Sequence, residues 1–256
     1  MGPLGVNRTV LLGLLTRAPQ LHYGRQGDVR ALLSLLTRVA PIGAHGEIPG
    51  TWFENSHLIF CEGASALRVT DLQAGALVYL EGRNREQRMT DPSGRSHRLA
   101  YVSASIVKHL TNQPVSEGAN TVTLVGTVMR DPIRKAAAEG HPECIKLRVM
   151  TAHRLSDDSG DARYAREYHW VTFYGGLGEF VAARAREGNL VYLEGRNQPS
   201  RWQDAAGLNH RTIAIVGHYF QLLHSEEKHK APALKPAEII HGYDVQLPEV
   251  EASFAM

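Results

Sequence analysis

The residues whose types and spacing point to chemistry lie between Glu167 and Tyr174, EYHWVTFY. In an extended strand, side chains alternate between two faces. His169, Val171 and Phe173 then share one face, and Tyr168, Trp170, Thr172 and Tyr174 share the other. Val171 and Phe173 suit a core. That leaves three large aromatics on the outer face, where exposed apolar area is costly unless something covers it. Trp202 supplies a fourth ring, with Arg196, Arg201, His210 and Arg211 around it in the sequence, and Lys146 and Arg148 alternate with Ile145, Leu147 and Val149. Rings interleaved with cations on one face offer stacking surfaces to bases, each worth about 1–3 kcal/mol whatever the base, and charge to phosphates. A neighbouring domain or subunit covering the same rings is the competing reading, and spacing alone leaves both open.

Enzyme chemistry finds little support. The chain has no H-E-x-x-H, no P-loop and no G-x-S-x-G. The glycines of Tyr174–Gly178, YGGLG, lack the lysine and the spacing of a phosphate loop and read as a strand-to-helix turn. Asp157, Asp158 and Asp161, set among Ser156, Ser159 and Gly160, read as a solvated loop. The 13 histidines are scattered, and inward-pointing His169 suits a core or an interface. No catalytic residue, metal or cofactor is expected. Cys61 and Cys144 form no C-x-x-C pair, as in a reduced intracellular protein. A net charge of +2 excludes a histone-like binder but permits a local basic groove.

The elements that carry these residues come from a duplication. The octet LVYLEGRN at Leu77–Asn84 returns at Leu190–Asn197, 113 residues later. At that offset Asn7, Leu11, Gly13, Arg17 and Pro19 match Asn120, Leu124, Gly126, Arg130 and Pro132; Glu54, Phe60, Gly63 and Gly75 match Glu167, Phe173, Gly176 and Gly188. Arg88, Asp91, Gly94, His97 and Arg98 match Arg201, Asp204, Gly207, His210 and Arg211. The middle, residues 28–50 against 141–162, is too divergent to register. This alignment puts Asn55, His57, Ile59 and Cys61 where the second repeat has its aromatic face, and Met89 in place of Trp202, while Arg17, Arg83, Arg85, Arg88 and Arg98 persist. The expectation is that repeat two supplies most of the stacking and repeat one phosphate contacts and assembly surface, with Trp52 and Phe53 as partial compensation.

Each repeat reads as strand, strand, strand, short helix, strand, strand. In repeat one these are Asn7–Arg17, a stretch within Asp28–Val39, Asn55–Cys61, a helix over Gly63–Asp71, Ala76–Asn84 and His97–Val107. In repeat two they are Thr121–Arg130, Cys144–Arg154, Glu167–Tyr174, the helix Leu177–Arg186, Leu190–Asn197 and His210–Leu222. That order predicts an all-β chain of two tandem OB-folds, five-stranded barrels with a helix between strands three and four. The domains are expected at 6–110 and 120–223, joined by a polar linker over 111–119 and followed by a flexible tail over 224–256. No stretch has the roughly 18 apolar residues of a membrane span, and the short apolar run near the start lacks the features of a signal peptide.

Both repeats resemble the bacterial single-stranded DNA-binding protein family. The pieces that carry the likeness are NRTVLLGLLTRAPQLHY in repeat one and NTVTLVGTVMRDP, REYHWVTFYGGLGEFVAARAREGNLVYLEGRN and SRWQDAAGLNHRTIAIV in repeat two. The resemblance implies a non-enzymatic protein that binds and protects single-stranded DNA without sequence preference in replication, recombination or repair. Two such domains in one chain resemble the minority type with tandem OB-folds, and the resemblance implies assembly as a homodimer of four barrels in the bacterial cytoplasm, on the nucleoid. Stacking then falls to Tyr168, Tyr174 and Trp202, with Trp170 beside them. Phosphate contacts fall to Arg130, Lys146, Arg148, Arg196, Arg201 and Arg211 in repeat two and to Arg17, Arg83, Arg85 and Arg88 in repeat one. Tyr79, Tyr192 and His169 match a region of subunit contact. The family ends in an acidic tip closing on Pro-Phe that recruits replication and repair proteins; here the tail, DVQLPEVEASFAM, keeps Glu249, Glu251 and Phe254 without that tip. Such a departure suits a specialised paralogue of a damage response or mobile element. A protein-interaction module and an RNA-binding OB protein remain the rival readings.

Overall fold

The structure is a computed structural model that describes residues 5–24, 28–40, 52–90, 94–111, 117–138, 142–155, 163–205, 207–224 and 239–240. The aspartate loop, most of the linker and nearly all of the tail lie outside the described residues. The first repeat contains β1 (Val6–Leu15), β2 (Gln20–Tyr23), β3 (Val29–Val39), β4 (Phe53–Glu62), α1 (Ala64–Leu67), β5 (Leu77–Thr90) and β6 (Ser96–His109). The second contains β7 (Ala119–Val128), β8 (Ile133–Lys135), β9 (Cys144–Leu155), β10 (Arg163–Tyr174), α2 (Gly175–Arg184), β11 (Leu190–Gln203) and β12 (Asn209–His224). Within the segment expected to be tail, Ile239–Ile240 forms β13, which pairs in parallel with Tyr164–Ala165 of β10. The short strands β2 and β8, each paired to the strand that follows it, are additions to the expected set.

Each repeat closes a five-stranded barrel. β1 pairs with β5 and, past Gly13, with β3; β3 pairs with β4, β4 runs parallel to β6, and β6 pairs with β5. The strands β7, β9, β10, β12 and β11 repeat this circuit. The switch of partners explains the glycine inside β1: a Cβ on Gly13 would lie 2.2 Å from the Leu36 carbonyl oxygen, and one on Gly126 2.3 Å from that of Met150. The alternating apolar residues of the strands fill two separate cores, around Leu11, Leu35, Ile59 and Leu80 in the first barrel and Leu124, Leu147, Phe173 and Leu193 in the second.

The barrels join where β1 and β7 pair antiparallel from Val6↔Val125 to Leu12↔Ala119, so that a local two-fold axis passes between Thr9 and Val122. Four repeat-matched asparagines sit on this axis. Asn84 and Asn197 exchange reciprocal amide hydrogen bonds of 2.6 and 2.8 Å. Asn7 brackets the backbone of Asn84, and Asn120 that of Asn197, each by donating to the carbonyl and accepting from the N–H. A buried amide that lost these partners would bear its full desolvation cost, so the cluster fixes the register of the junction.

The uniform offset of 113 does not survive inside the barrels. Ile59 pairs with Val102 in the first barrel as Val171 pairs with Ile215 in the second, which places β4 and β10 112 residues apart. Leu14↔Leu36 corresponds to Thr127↔Met150, so β3 and β9 are 114 apart. The left-handed glycine that opens the helix is Gly63 (φ 54°) in one repeat and Gly175 (φ 55°), not Gly176, in the other. Because strand faces alternate, a one-residue slip exchanges them. Phe173 therefore corresponds to Cys61 rather than Phe60. Core volume confirms it: Phe173 packs over Gly217, whose added Cβ would lie 2.2 Å from the ring, whereas the smaller Cys61 sits beside Ala104 at the position matching Gly217.

Candidate nucleic-acid interface

β10 presents the faces that alternation predicts. His169, Val171 and Phe173 are buried, while Tyr168 and Tyr174 are each 40 % exposed and Trp170 is half-buried. Cross-strand pairing with β9 sets Arg148 opposite Trp170 and Lys146 opposite Thr172, all on this outer face. The Arg130 guanidinium, just past the end of β7, lies 4.6 Å from the Trp170 ring centre, and that of Arg148 lies 5.2 Å from Tyr168 and 5.5 Å from Trp170. Cation and ring are thus held together, an attraction of about 0.5–1 kcal/mol at an exposed site. The charge stays close to the stacking surface.

Trp202 projects from the extended β11–β12 hairpin and is 48 % exposed. One of its faces stacks on His210 at 4.1 Å with the rings 8° apart. His210 is itself held at both nitrogens. Its Nδ1 accepts from the Arg98 backbone N–H at 3.3 Å, which leaves Nε2 to donate to the Asp204 carboxylate at 3.0 Å. The indole is thereby presented on a fixed support with its other face open.

The remaining expected cations divide. Arg196 covers the Phe53 ring at 3.9 Å, a contact between barrels. Arg201 is exposed but shares a cross-strand pair with Arg211, one residue out of phase with Trp202 and so on the other face of the hairpin. Arg211 is buried and donates to the Ser56 carbonyl of the first barrel; burial and Arg201 push its pKa down to about 10. Arg85 pairs with the largely buried Glu167 at 3.1 Å, where burial outweighs the pull of Arg85, Arg83 and the Asn7 amide and raises the carboxyl above its usual range. Arg83 lines a cleft of about 340 Å³ at the junction with Arg8 and His153. Arg17 is half-buried and Arg88 exposed, both on the first barrel. Arg211, Arg196 and Arg85 thus tie the barrels together; Arg130, Lys146 and Arg148 share the aromatic face.

His169 is turned inward, hydrogen-bonded to Thr151 Oγ1 at 3.0 Å, and burial lowers its pKa to about 4. It belongs to the barrel interior rather than to a subunit surface. Tyr79 and Tyr192 do face outward, each donating to a glutamate two residues on, Glu81 and Glu194. They lie on the outer face of the continuous six-strand run β6-β5-β1-β7-β11-β12. Val6, Leu14, Ile106, Tyr219 and Leu223, each at least 40 % exposed, share that face. Sequence reasoning passed over these five, although strict alternation along β1, β6 and β12 marks them. Among the described residues no cluster of His, Cys, Asp or Glu could hold a metal ion, and no helix is long and apolar enough to cross a membrane.

The Single-strand binding protein family matches residues 119–223. Over 104 residues the chain is 32 % identical to the single-stranded DNA-binding protein of Neisseria meningitidis serogroup A, a match that takes in 41 % of this chain and 59 % of that protein. The chain thus spans about three-fifths of the length of that curated relative. In fold it is similar to the wild-type single-stranded DNA binding protein of Thermus aquaticus (TM-score 0.65, 19 % identity, 89 % of this chain and 97 % of the other). A deletion mutant of the Thermus protein superposes with a TM-score of 0.63 at 19 % identity, over 89 % of this chain and 98 % of that one.

Proposed function

We propose that this chain binds single-stranded DNA, with little sequence preference, on the β9–β10 face of its second barrel, whose residues 119–223 match the Single-strand binding protein family. The observation that carries the reading is the row Tyr168, Trp170 and Tyr174, left partly open, with Arg130 and Arg148 set against Tyr168 and Trp170. Bases stack on these rings and on the open face of Trp202. Each stack is worth about 1–3 kcal/mol. Arg130, Lys146 and Arg148 neutralise the passing phosphates and release counterions, which makes affinity fall with salt. No bond is made or broken. The strand is kept from forming hairpins and is presented to replication, recombination or repair enzymes on the nucleoid.

The outer face around Tyr79 and Tyr192 supports a homodimer. Val6, Leu14, Ile106, Tyr219 and Leu223 place apolar side chains across a sheet that continues through both barrels. An isologous pairing of two such faces would bring four barrels together. The reading is tested by titrating the protein with oligo(dT) at two salt concentrations while following tryptophan fluorescence, in wild type and Trp202→Ala, with oligo(U) as competitor. Quenching that weakens with salt and shrinks in the variant is expected, with oligo(U) competing poorly. Absence of binding at low salt would refute the proposal in favour of a protein-docking face, and equal competition by oligo(U) would make the ligand RNA as much as DNA.

A further inference from the structure

We infer that each chain carries one DNA-binding face, not two, because the first barrel has its corresponding face sealed by its own β5–β6 hairpin. The inference rests on the reading of the second barrel as a DNA-binding domain. The strand registers match Lys146, Trp170, Thr172, Trp202, Thr212 and Ala214 with Leu32, Leu58, Phe60, Met89, Leu99 and Tyr101. Every one of these six positions is apolar or aromatic in the first barrel, and together they form a single cluster distinct from the barrel core. Leu32, Leu58, Phe60 and Tyr101 are no more than 7 % exposed, and the Phe60 and Tyr101 rings meet edge to face at 5.9 Å.

The consequence is steric and electrostatic at once. A base needs an open ring face, and Phe60 has none. A phosphate needs a cation, and Leu32 stands where Lys146 would be. In the second barrel Ala214 replaces Tyr101; Thr172 is still buried, but Lys146, Trp170, Thr212 and Ala214 stay partly exposed, unlike Leu32, Leu58 and Tyr101 at the matching places. Of the two aromatics expected to compensate in the first barrel, Phe53 is taken up by Arg196 of the second barrel at 3.9 Å, and Trp52, 36 % exposed, lies under Arg38 at 4.8 Å, away from the sealed cluster. The first barrel instead braces the second, through the Arg98 backbone against His210, Arg85 against Glu167, and the Ser56 carbonyl under Arg211.

The test is a stoichiometric titration of the full chain with an oligo(dT) of about 10 nucleotides, within the span one OB domain covers, followed by photocrosslinking with bromodeoxyuridine in its place. One oligonucleotide per chain at saturation is expected, with crosslinks confined to peptides holding Tyr168, Trp170, Tyr174 or Trp202. The variant Trp170→Ala/Trp202→Ala should lose at least about tenfold in affinity, with no second class of site behind it. Two oligonucleotides per chain, or crosslinks at Tyr23, Trp52 or Tyr101, would overturn the inference while leaving the proposed function intact. No binding of any oligonucleotide would overturn both.

Discussion

Lowering the pH from 7 to 5 is expected to strip about 4 kcal/mol from the stability of this protein through two equivalent histidines. His57 and His169 occupy matching places in the two barrels, each hydrogen-bonded through Nε2 to a threonine hydroxyl, Thr37 at 2.9 Å and Thr151 at 3.0 Å. Burial lowers their pKa values to about 3 and about 4, the former helped by Arg211. In the unfolded chain both titrate near 6.5. The neutral ring is therefore the folded form, and its stabilising effect is complete above pH 6.5. As pH falls from there toward 4, the unfolded state takes up protons that the folded state refuses. At pH 5 the deficit is about 1.5 protonation units, or about 2 kcal/mol, for each histidine. His153, lowered to about 4 but half-buried, adds a smaller share in the same direction. Glu167, whose carboxyl is raised, acts oppositely as it takes up its proton. The assay is urea unfolding followed by circular dichroism at pH 7, 6 and 5 and at one protein concentration. The His57→Gln/His169→Gln variant should be less stable at pH 7 yet lose far less between pH 7 and 5. An equal pH-dependent loss in variant and wild type would refute the reasoning.

Three further outcomes follow from other parts of the molecule. Asn197→Ala removes one half of the reciprocal pair with Asn84 and leaves buried amide groups unmatched, so urea unfolding should register a loss of about 2–4 kcal/mol. Gly217→Ala drives a methyl group to within 2.2 Å of the Phe173 ring; thermal unfolding should show about 1–3 kcal/mol of destabilisation, relieved in part by Phe173→Leu. With phosphate contacts from Arg130, Lys146 and Arg148, the log–log dependence of oligo(dT) affinity on salt should have a slope of about −2, and Arg148→Ala should flatten it by about 0.7.

The sequence by itself determined the duplication, the strand order and the aromatic face. The repeated octet is a covalent fact, and alternation along β10 follows from strand geometry whatever surrounds it. The turn glycines after the helix, Gly75 and Gly188, were equally legible, since both take a φ that other residues avoid, whereas before the helix the true pair is Gly63 and Gly175 and not the Gly63 and Gly176 of a uniform offset. The register inside the repeats was not legible. Phe60 and Phe173 are both phenylalanine and both bury their rings, but in different clusters on opposite faces. Only pairing with β6 and β12 shows that the helical segment is one residue longer in the second repeat, which turns each face of β4 over relative to a uniform alignment. The fates of the arginines were decided by tertiary structure for a related reason. Arg211, Arg196 and Arg85 look like Arg130 and Arg148 in sequence, yet their neighbours come from the other barrel. Contacts between residues more than 80 positions apart leave no local trace in a chain, so whether a guanidinium meets solvent, a ring or a carboxylate is settled only when the two barrels join along β1 and β7.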